Sequence, residues 1–430
     1  MLRRSKSIKL SCVSHVGLRA IRLQVKMSNP SSSYIPNVDA MRAISIIAVM
    51  AFHARYFAAG WVGVWVFFVI SGFLITRSLV GLSGAGFWQG LKVFYIRRSL
   101  RIWPAYYVYV LLCTIAILAA GLTQVRGQIM WCVFYLANLM PVFGVDDSGR
   151  LFGHLWSLAV EEQYYLIIAP VVLLLGRRWC VPLFLALIVL VPLFRAVGFT
   201  WLSPHYGAQT PELIKGLTPF QVDSFMIGGA IALFEDRIRA LPRRTVGLWS
   251  AAIVAVCVGA LVLNYYALGM QHAAGGANLD RSQIEQWRLS PTSFGIAINT
   301  VELYGYVWLY SVLSLLSAVL LVGVIRLGSR YQFTTLNAIG KVSYGMYLFH
   351  SPMVSAFDQI LLRAHIAKMT PLGVACFICL VGAVYVVSLA SFKWLESPLL
   401  RLKDRIATAP RSGASAPALS TPLASASASR

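Results

Sequence analysis

Ten separate stretches of this chain are apolar for long enough to cross a lipid bilayer, and that feature decides its fold class. They lie at about residues 40–58, 61–80, 103–121, 158–175, 180–198, 218–234, 245–266, 302–325, 342–362 and 371–393. About 30 Å of hydrocarbon takes roughly 17–25 helical residues to cross. Backbone in that medium must satisfy its own hydrogen bonds, which a helix does within one segment. The expected fold is therefore all-α, a polytopic membrane helix bundle of about ten transmembrane helices. Of the 430 residues 58% are hydrophobic and 12% charged, roughly half the charged share of a soluble domain. Those figures exclude a soluble globule and a disordered chain, and the Gly and Cys counts exclude collagen and a disulfide scaffold.

An eleventh apolar segment, 129–143, is shorter and contains Asn138 and Pro141. It spans, lies at the interface or re-enters, and the distribution of positive charge arbitrates. With ten spans and both termini cytoplasmic, 27 of the 37 Lys and Arg fall on inner segments. Seven fall on outer loops: Arg126, Arg150, Lys215, Arg281, Arg288, Arg363 and Lys368. Were 129–143 to span, the basic loops at 177–178, 235–244 and 326–341 would face outward. The net charge of +22 is thus expected to set topology and to meet anionic lipid head groups, with no nucleic-acid partner.

Residues 1–33 are basic and Ser-rich without an apolar core, so they read as a disordered extension rather than a cleaved leader, and Met27 is an alternative start. The organised part runs over 34–405, and the Ala/Ser-rich tail at 406–430 reads as disordered. The outer loop at about 267–301 is too short for a further catalytic domain. Seven scattered cysteines show no Cys/His spacing for zinc, so no metal is expected.

Ionisable side chains inside apolar runs are costly and usually face a protein-lined cavity. Arg42 and His53 have ten residues between them. Eleven helical steps return to within about 20° of the starting direction and rise about 16 Å, so both lie on one face. Imidazole is the side chain best suited to exchange a proton near neutral pH. In FYIRRSLRIWPAYY, Arg98 and Arg101 are three apart and share a face if helical, with Arg97 before them. Guanidinium forks grip phosphate oxygens, and this loop is expected on the cytoplasmic side, where coenzymes are found. Glu161 and Glu162 open the fourth span, in the leaflet half expected to hold His53. A carboxylate there could hold the imidazole's tautomer, and helix geometry lets only one of the two face the cavity. His350 reads as a second cavity residue or as an interhelical donor. Asp39 and Asp223 sit where helix N-caps belong, and the paired glycines after Asp223 suit close helix packing. Ser71 lacks the upstream glycine of a nucleophile elbow.

The stretches VDAMRAISIIAVMAFHA, GWVGVWVFFVISGFLIT, FYIRRSLRIWPAYY, HLWSLAVEEQYYL, IGKVSYGMYLFHSP and FKWLESPLLR, together and in this order, resemble the acyltransferase 3 family of integral-membrane O-acyltransferases. The resemblance runs from about Tyr34 to Leu402. It places the family's Arg-x10-His pattern on Arg42 and His53, and its RxxR pattern on Arg98 and Arg101. Two departures are Ala40, where Gly is frequent, and Trp65, where an acid is common. The resemblance implies an acyl-CoA donor (commonly acetyl), a polysaccharide or glycolipid hydroxyl as acceptor, a bacterial inner membrane and no permanently bound cofactor. The expected roles are coenzyme binding by Arg42, Arg98 and Arg101, and general-base chemistry by His53 assisted by Glu161 or Glu162. Direct transfer and an acyl-histidine intermediate both fit. A transporter or flippase for a sugar, lipid-linked glycan or small molecule is the alternative, although no inverted repeat is visible.

Overall fold

The computed structural model describes residues 34–122, 126–145, 151–273, 305–328 and 331–401. The extension expected at 1–33, the tail expected at 406–430 and all of the loop expected at about 267–301 beyond residue 273 lie outside the described residues. Within them all regular structure is helical. In chain order the helices are α1 (Pro36–His53), α2 (Gly63–Leu82), α3 (Phe87–Ala119), α4 (Gln128–Val133), α5 (Trp156–Tyr206), α6 (Thr210–Gly216), α7 (Val222–Leu233), α8 (Glu235–Ala240), α9 (Arg243–Ala273), α10 (Gly305–Leu327), α11 (Thr334–Lys341), α12 (Ser343–Arg363) and α13 (Pro371–Ser391), the last running into a π turn at Phe392–Glu396.

Six of these segments are long and apolar enough to cross a membrane: Ala58–Ala85, Phe87–Ala119, Gly153–Tyr206, Arg243–Leu263, Val307–Leu327 and Pro371–Arg401. The chain is an integral membrane protein. Its central helix is α2, 78% of whose most apolar window is buried, whereas α9 buries only 6% of its own. Leu248, Trp249, Val256 and Leu263 on α9 point outward, which suits hydrocarbon and would be a large exposed patch in water.

The ten apolar stretches fall on nine of these helices, since 158–175 and 180–198 both lie on α5. Six segments rather than about ten are long and apolar enough to cross among the described residues. The boundaries differ from those expected in four places. First, α1 stops at His53, and Arg55 adopts a positive φ of 63°. Second, α3 begins at Phe87, so the arginine segment expected as a loop is continuous helix through Pro104. Third, α5 runs across the expected loop at 176–179, broken only at Gly176 with φ 64° and ψ 173°, a region essentially confined to glycine. Fourth, α7 has only 12 residues, about 18 Å of rise. A 3-10 turn at Thr218–Phe220 precedes it and Phe234 breaks the helix before α8.

The segment 129–143 is not one helix. It is α4, a break with Tyr135 at φ 55°, then a 3-10 stretch at Ala137–Phe143. Asn138 turns inward and donates to the Gly216 carbonyl and Thr218 Oγ1, both at 3.3 Å.

Small residues set the helix spacing around α2 and α1. A Cβ on Gly228 of α7 would lie 1.9 Å from the Val69 carbonyl oxygen of α2, and one on Gly340 of α11 would lie 1.8 Å from that of Asp39 in α1. Neither helix could come so close with any side chain there. Behind them Arg195 of α5, fully buried, pairs with Asp223 of α7 and donates to the Phe220 and Val307 carbonyls and to Ser311. Asp223 is therefore an interior ion-pair partner and not the N-cap expected, since α7 makes no side-chain cap. Asp39 is not a cap either: it pairs with Arg42 inside the first turn of α1.

Candidate active site

Two hollows open back to back along α1. The first has an empty volume of about 720 Å³ and is lined by Arg42, Arg98, Arg101, Glu161, Ser71 and Tyr165 among others. Helical continuity of α3 aims Arg98 and Arg101 from one face. The Arg98 guanidinium lies 4.8 Å above the Tyr165 ring, and the Tyr165 hydroxyl donates to Glu161 at 3.0 Å while lying 2.5 Å from Ser71 Oγ. Arg42 donates to Asp39 at 3.4 Å, and Asp39 also accepts from the Tyr34 hydroxyl. Tyr34 precedes the helices, and partial desolvation together with the Asp39 carboxylate raises its phenol above the ordinary value. Arg101 sits in the field of Arg42 and Arg98 and of the carboxylates of Asp39 and Glu396. Arg42 pairs directly with Asp39, and the carboxylates of Asp39, Glu161 and Glu396 act on the arginines through their field. Five N–H donors per guanidinium nevertheless exceed what those acids take up: Arg42 uses one on Asp39.

The second hollow, with an empty volume of about 850 Å³, lies at the C-terminal end of α1 and is lined by His53, His154, Trp156, Asn138, Glu212 and Lys215 among others. Trp61 and Trp65 meet edge to face at 5.0 Å, and Lys215 Nζ lies 5.6 Å from the Trp156 ring while paired with Glu212. Indole faces beside amide, ammonium and carboxylate groups form an environment that accepts an amphipathic, hydroxyl-rich molecule. His53 closes α1, so the negative end of that helix dipole lies at its ring. His350 lies 5.0 Å from His53 between ring centres, and His154 lies 5.1 Å from His350.

Val64 and Tyr347 belong to the walls of both hollows. Tyr347 is pinned: its hydroxyl donates to the His154 carbonyl at 3.1 Å and lies 2.5 Å from Ser157 Oγ.

Arg42, Arg98, Arg101 and Glu161 come together, as the sequence pattern suggested for the arginines. His53 does not share their hollow, so the single cavity expected for Arg42 and His53 is divided in two. Glu161 lines the arginine hollow and not the one that holds His53. Glu162 points elsewhere, accepting from Trp103 Nε1 at 3.4 Å. The reason is depth. The helix starts at Trp156, which lines the histidine hollow, so Leu158 and Glu161 reach the far side of the wall. Trp65 fills the place of a possible acid, donating to Gln221 at 3.1 Å and stacking on Tyr310. Sequence reasoning did not single out His154 or Glu396. Both sit inside motif stretches, but nothing in their local spacing sets them beside residues hundreds of positions away.

Comparison with known proteins bears on this arrangement. The peptidoglycan O-acetyltransferase OatA of Listeria monocytogenes is 27% identical over 388 residues, covering 86% of this chain and 56% of that protein. A putative peptidoglycan O-acetyltransferase, YrhL, of Bacillus subtilis is 34% identical over 154 residues, 33% of this chain and 24% of that one. A putative O-acetyltransferase of Staphylococcus aureus is 35% identical over 150 residues, with 33% and 25% covered. The chain therefore spans about half the length of the first relative and about a quarter of the other two. No solved structure matches. The family model described as an acyltransferase domain matches residues 35–390, nearly all of the helical unit that builds both hollows, and the chain belongs to the acyltransferase 3 family.

Proposed function

We propose that the protein moves an acyl group, acetyl by preference, from acyl-CoA to a hydroxyl of a surface or exported polysaccharide or glycolipid. The observation that carries this reading is the pair of hollows sharing Val64 and Tyr347, guanidinium-lined at one end of α1 and imidazole-lined at the other. With ten crossings and both termini cytoplasmic, as the positive charge distribution supports, the arginine hollow faces the cytoplasm and the histidine hollow the outside of the inner membrane. The phosphates of the coenzyme take the guanidinium donors of Arg42, Arg98 and Arg101 that Asp39, Glu161 and Glu396 leave over. Glu161, through Tyr165, keeps Arg98 presented.

The thioester end passes between Val64 and Tyr347 to meet the acceptor. His53 removes the proton from the acceptor hydroxyl as its oxygen attacks the thioester carbonyl. The carbon–sulfur bond then breaks, and the coenzyme thiolate takes that proton back from His53. No outside oxidant, metal or further reactant enters the balance. The acceptor lies against Trp156 with Asn138, Glu212 and Lys215 on its polar side. The names of the relatives point to a peptidoglycan-like glycan.

The test is acetyl-CoA turnover by the purified full chain in detergent with a soluble glycan fragment, read as free thiol. Turnover that His53→Ala abolishes, with the melting temperature unchanged, is the expected result. A folded chain that releases no thiol, or releases it equally well without His53, contradicts the reading and leaves the transporter alternative.

A further inference from the structure

We propose that His350 is the positioning partner of His53, doing what a carboxylate does in other imidazole-based sites; this rests on the transferase reading above. His350 lies on α12, is fully buried, and its ring centre is 5.0 Å from that of His53. Its Nδ1 lies 2.7 Å from the Tyr347 carbonyl oxygen. A carbonyl only accepts, so Nδ1 carries the hydrogen, and Nε2 of the neutral ring presents a lone pair. That Nε2 is buried without a hydrogen-bond partner, and such a group is normally satisfied when a site is filled. His154 is fixed the same way. Its Nε2 lies 3.2 Å from the Leu348 carbonyl, and its Nδ1 is buried and unpartnered. Two adjacent backbone carbonyls of α12 thus set two imidazoles in defined tautomers beside the base.

When the acceptor fills the hollow and presses on His53, the N–H of His53 turns to the Nε2 lone pair of His350. That leaves the other His53 nitrogen unprotonated and aimed at the acceptor hydroxyl. Catalytic hydrogen bonds are commonly long in unfilled sites and tighten with substrate. The carboxylates expected in this role, Glu161 and Glu162, lie against Tyr165 and Trp103.

The two amide side chains separate this role from packing. Asn places its polar atom where Nδ1 stands and can keep the contact to the Tyr347 carbonyl, whereas Gln places an acceptor where Nε2 stands. The experiment compares His350→Asn and His350→Gln in the full chain, with acetyl-CoA and the soluble glycan fragment. Expected are a kcat lowered by roughly 10²-fold in His350→Asn with KM for acetyl-CoA unchanged, and a His350→Gln chain within roughly 10-fold of the original. Melting temperatures guard each comparison. A folded His350→Asn chain as active as the original, a folded His350→Gln chain as impaired as His350→Asn, or loss of fold in both overturns the assignment and makes the ring a packing element. His53→Ala run alongside reports on the transferase reading itself. If the original chain turns over acetyl-CoA and His53→Ala does not, a failed Asn/Gln contrast touches His350 alone. If the original chain is inert, both fall.

Discussion

Arg98 holds its guanidinium over the Tyr165 ring at 4.8 Å, beside a hydroxyl already committed to Glu161. Lysine keeps the charge but has neither the planar face nor the fork. Arg98→Lys is expected to raise KM for acetyl-CoA by roughly 10-fold while kcat changes by less than about 3-fold, measured by steady-state thiol release. Asp223 makes a second prediction at this scale. Removing it by Asp223→Ala leaves Arg195 charged and uncompensated in an interior where both are fully buried. The expected loss is about 3–5 kcal/mol, seen as a large drop in melting temperature of the detergent-solubilised chain. That Arg98 and Arg101 share a hollow was legible because the signal is local: three steps along one helix fix relative direction without knowledge of the rest of the fold. The partner of His53 was not legible. His350, the partner proposed here, lies about three hundred positions further on, and the choice between it and Glu161 depends on how deep α5 enters the bundle.

At the scale of helices, periodicity and hydropathy located the apolar segments, while their ends were fixed by contacts the pattern does not encode. The early start of α3 at Phe87 is tolerated because Arg98 and Arg101 find Tyr165, Glu161 and Glu396 within the bundle. The short α7 is held by its backbone approach to α2, and Gly228 makes that approach possible. Gly228→Leu would put a side chain where the Val69 carbonyl oxygen already lies 1.9 Å from a Cβ. The expected cost is about 1–3 kcal/mol or more. Because α7 also carries Asp223, the Arg195 pair should loosen with it. Melting of the single variants and of Gly228→Leu with Asp223→Ala together checks this: coupling predicts a double loss smaller than the sum of the single losses.

Across the whole molecule, sequence reasoning expected one polar hollow joining Arg42 to His53, and the fold makes two with a thin common wall. Val64 and Tyr347 come from α2 and α12, so only the packed bundle could show it. If acyl groups pass through that wall, Val64→Trp should abolish transfer to the acceptor while KM for acetyl-CoA in any residual thiol release stays within about 3-fold of the original. An unchanged transfer rate would mean that the two hollows are not connected in turnover.

The most direct measurement is sidedness. The full chain is reconstituted in sealed vesicles with acetyl-labelled coenzyme A trapped inside and a soluble glycan fragment added outside. The account predicts label on the outer glycan, free coenzyme thiol appearing inside, and loss of both in His53→Ala. Label confined to the compartment that holds the donor, or intact acetyl-CoA emerging outside, would contradict it.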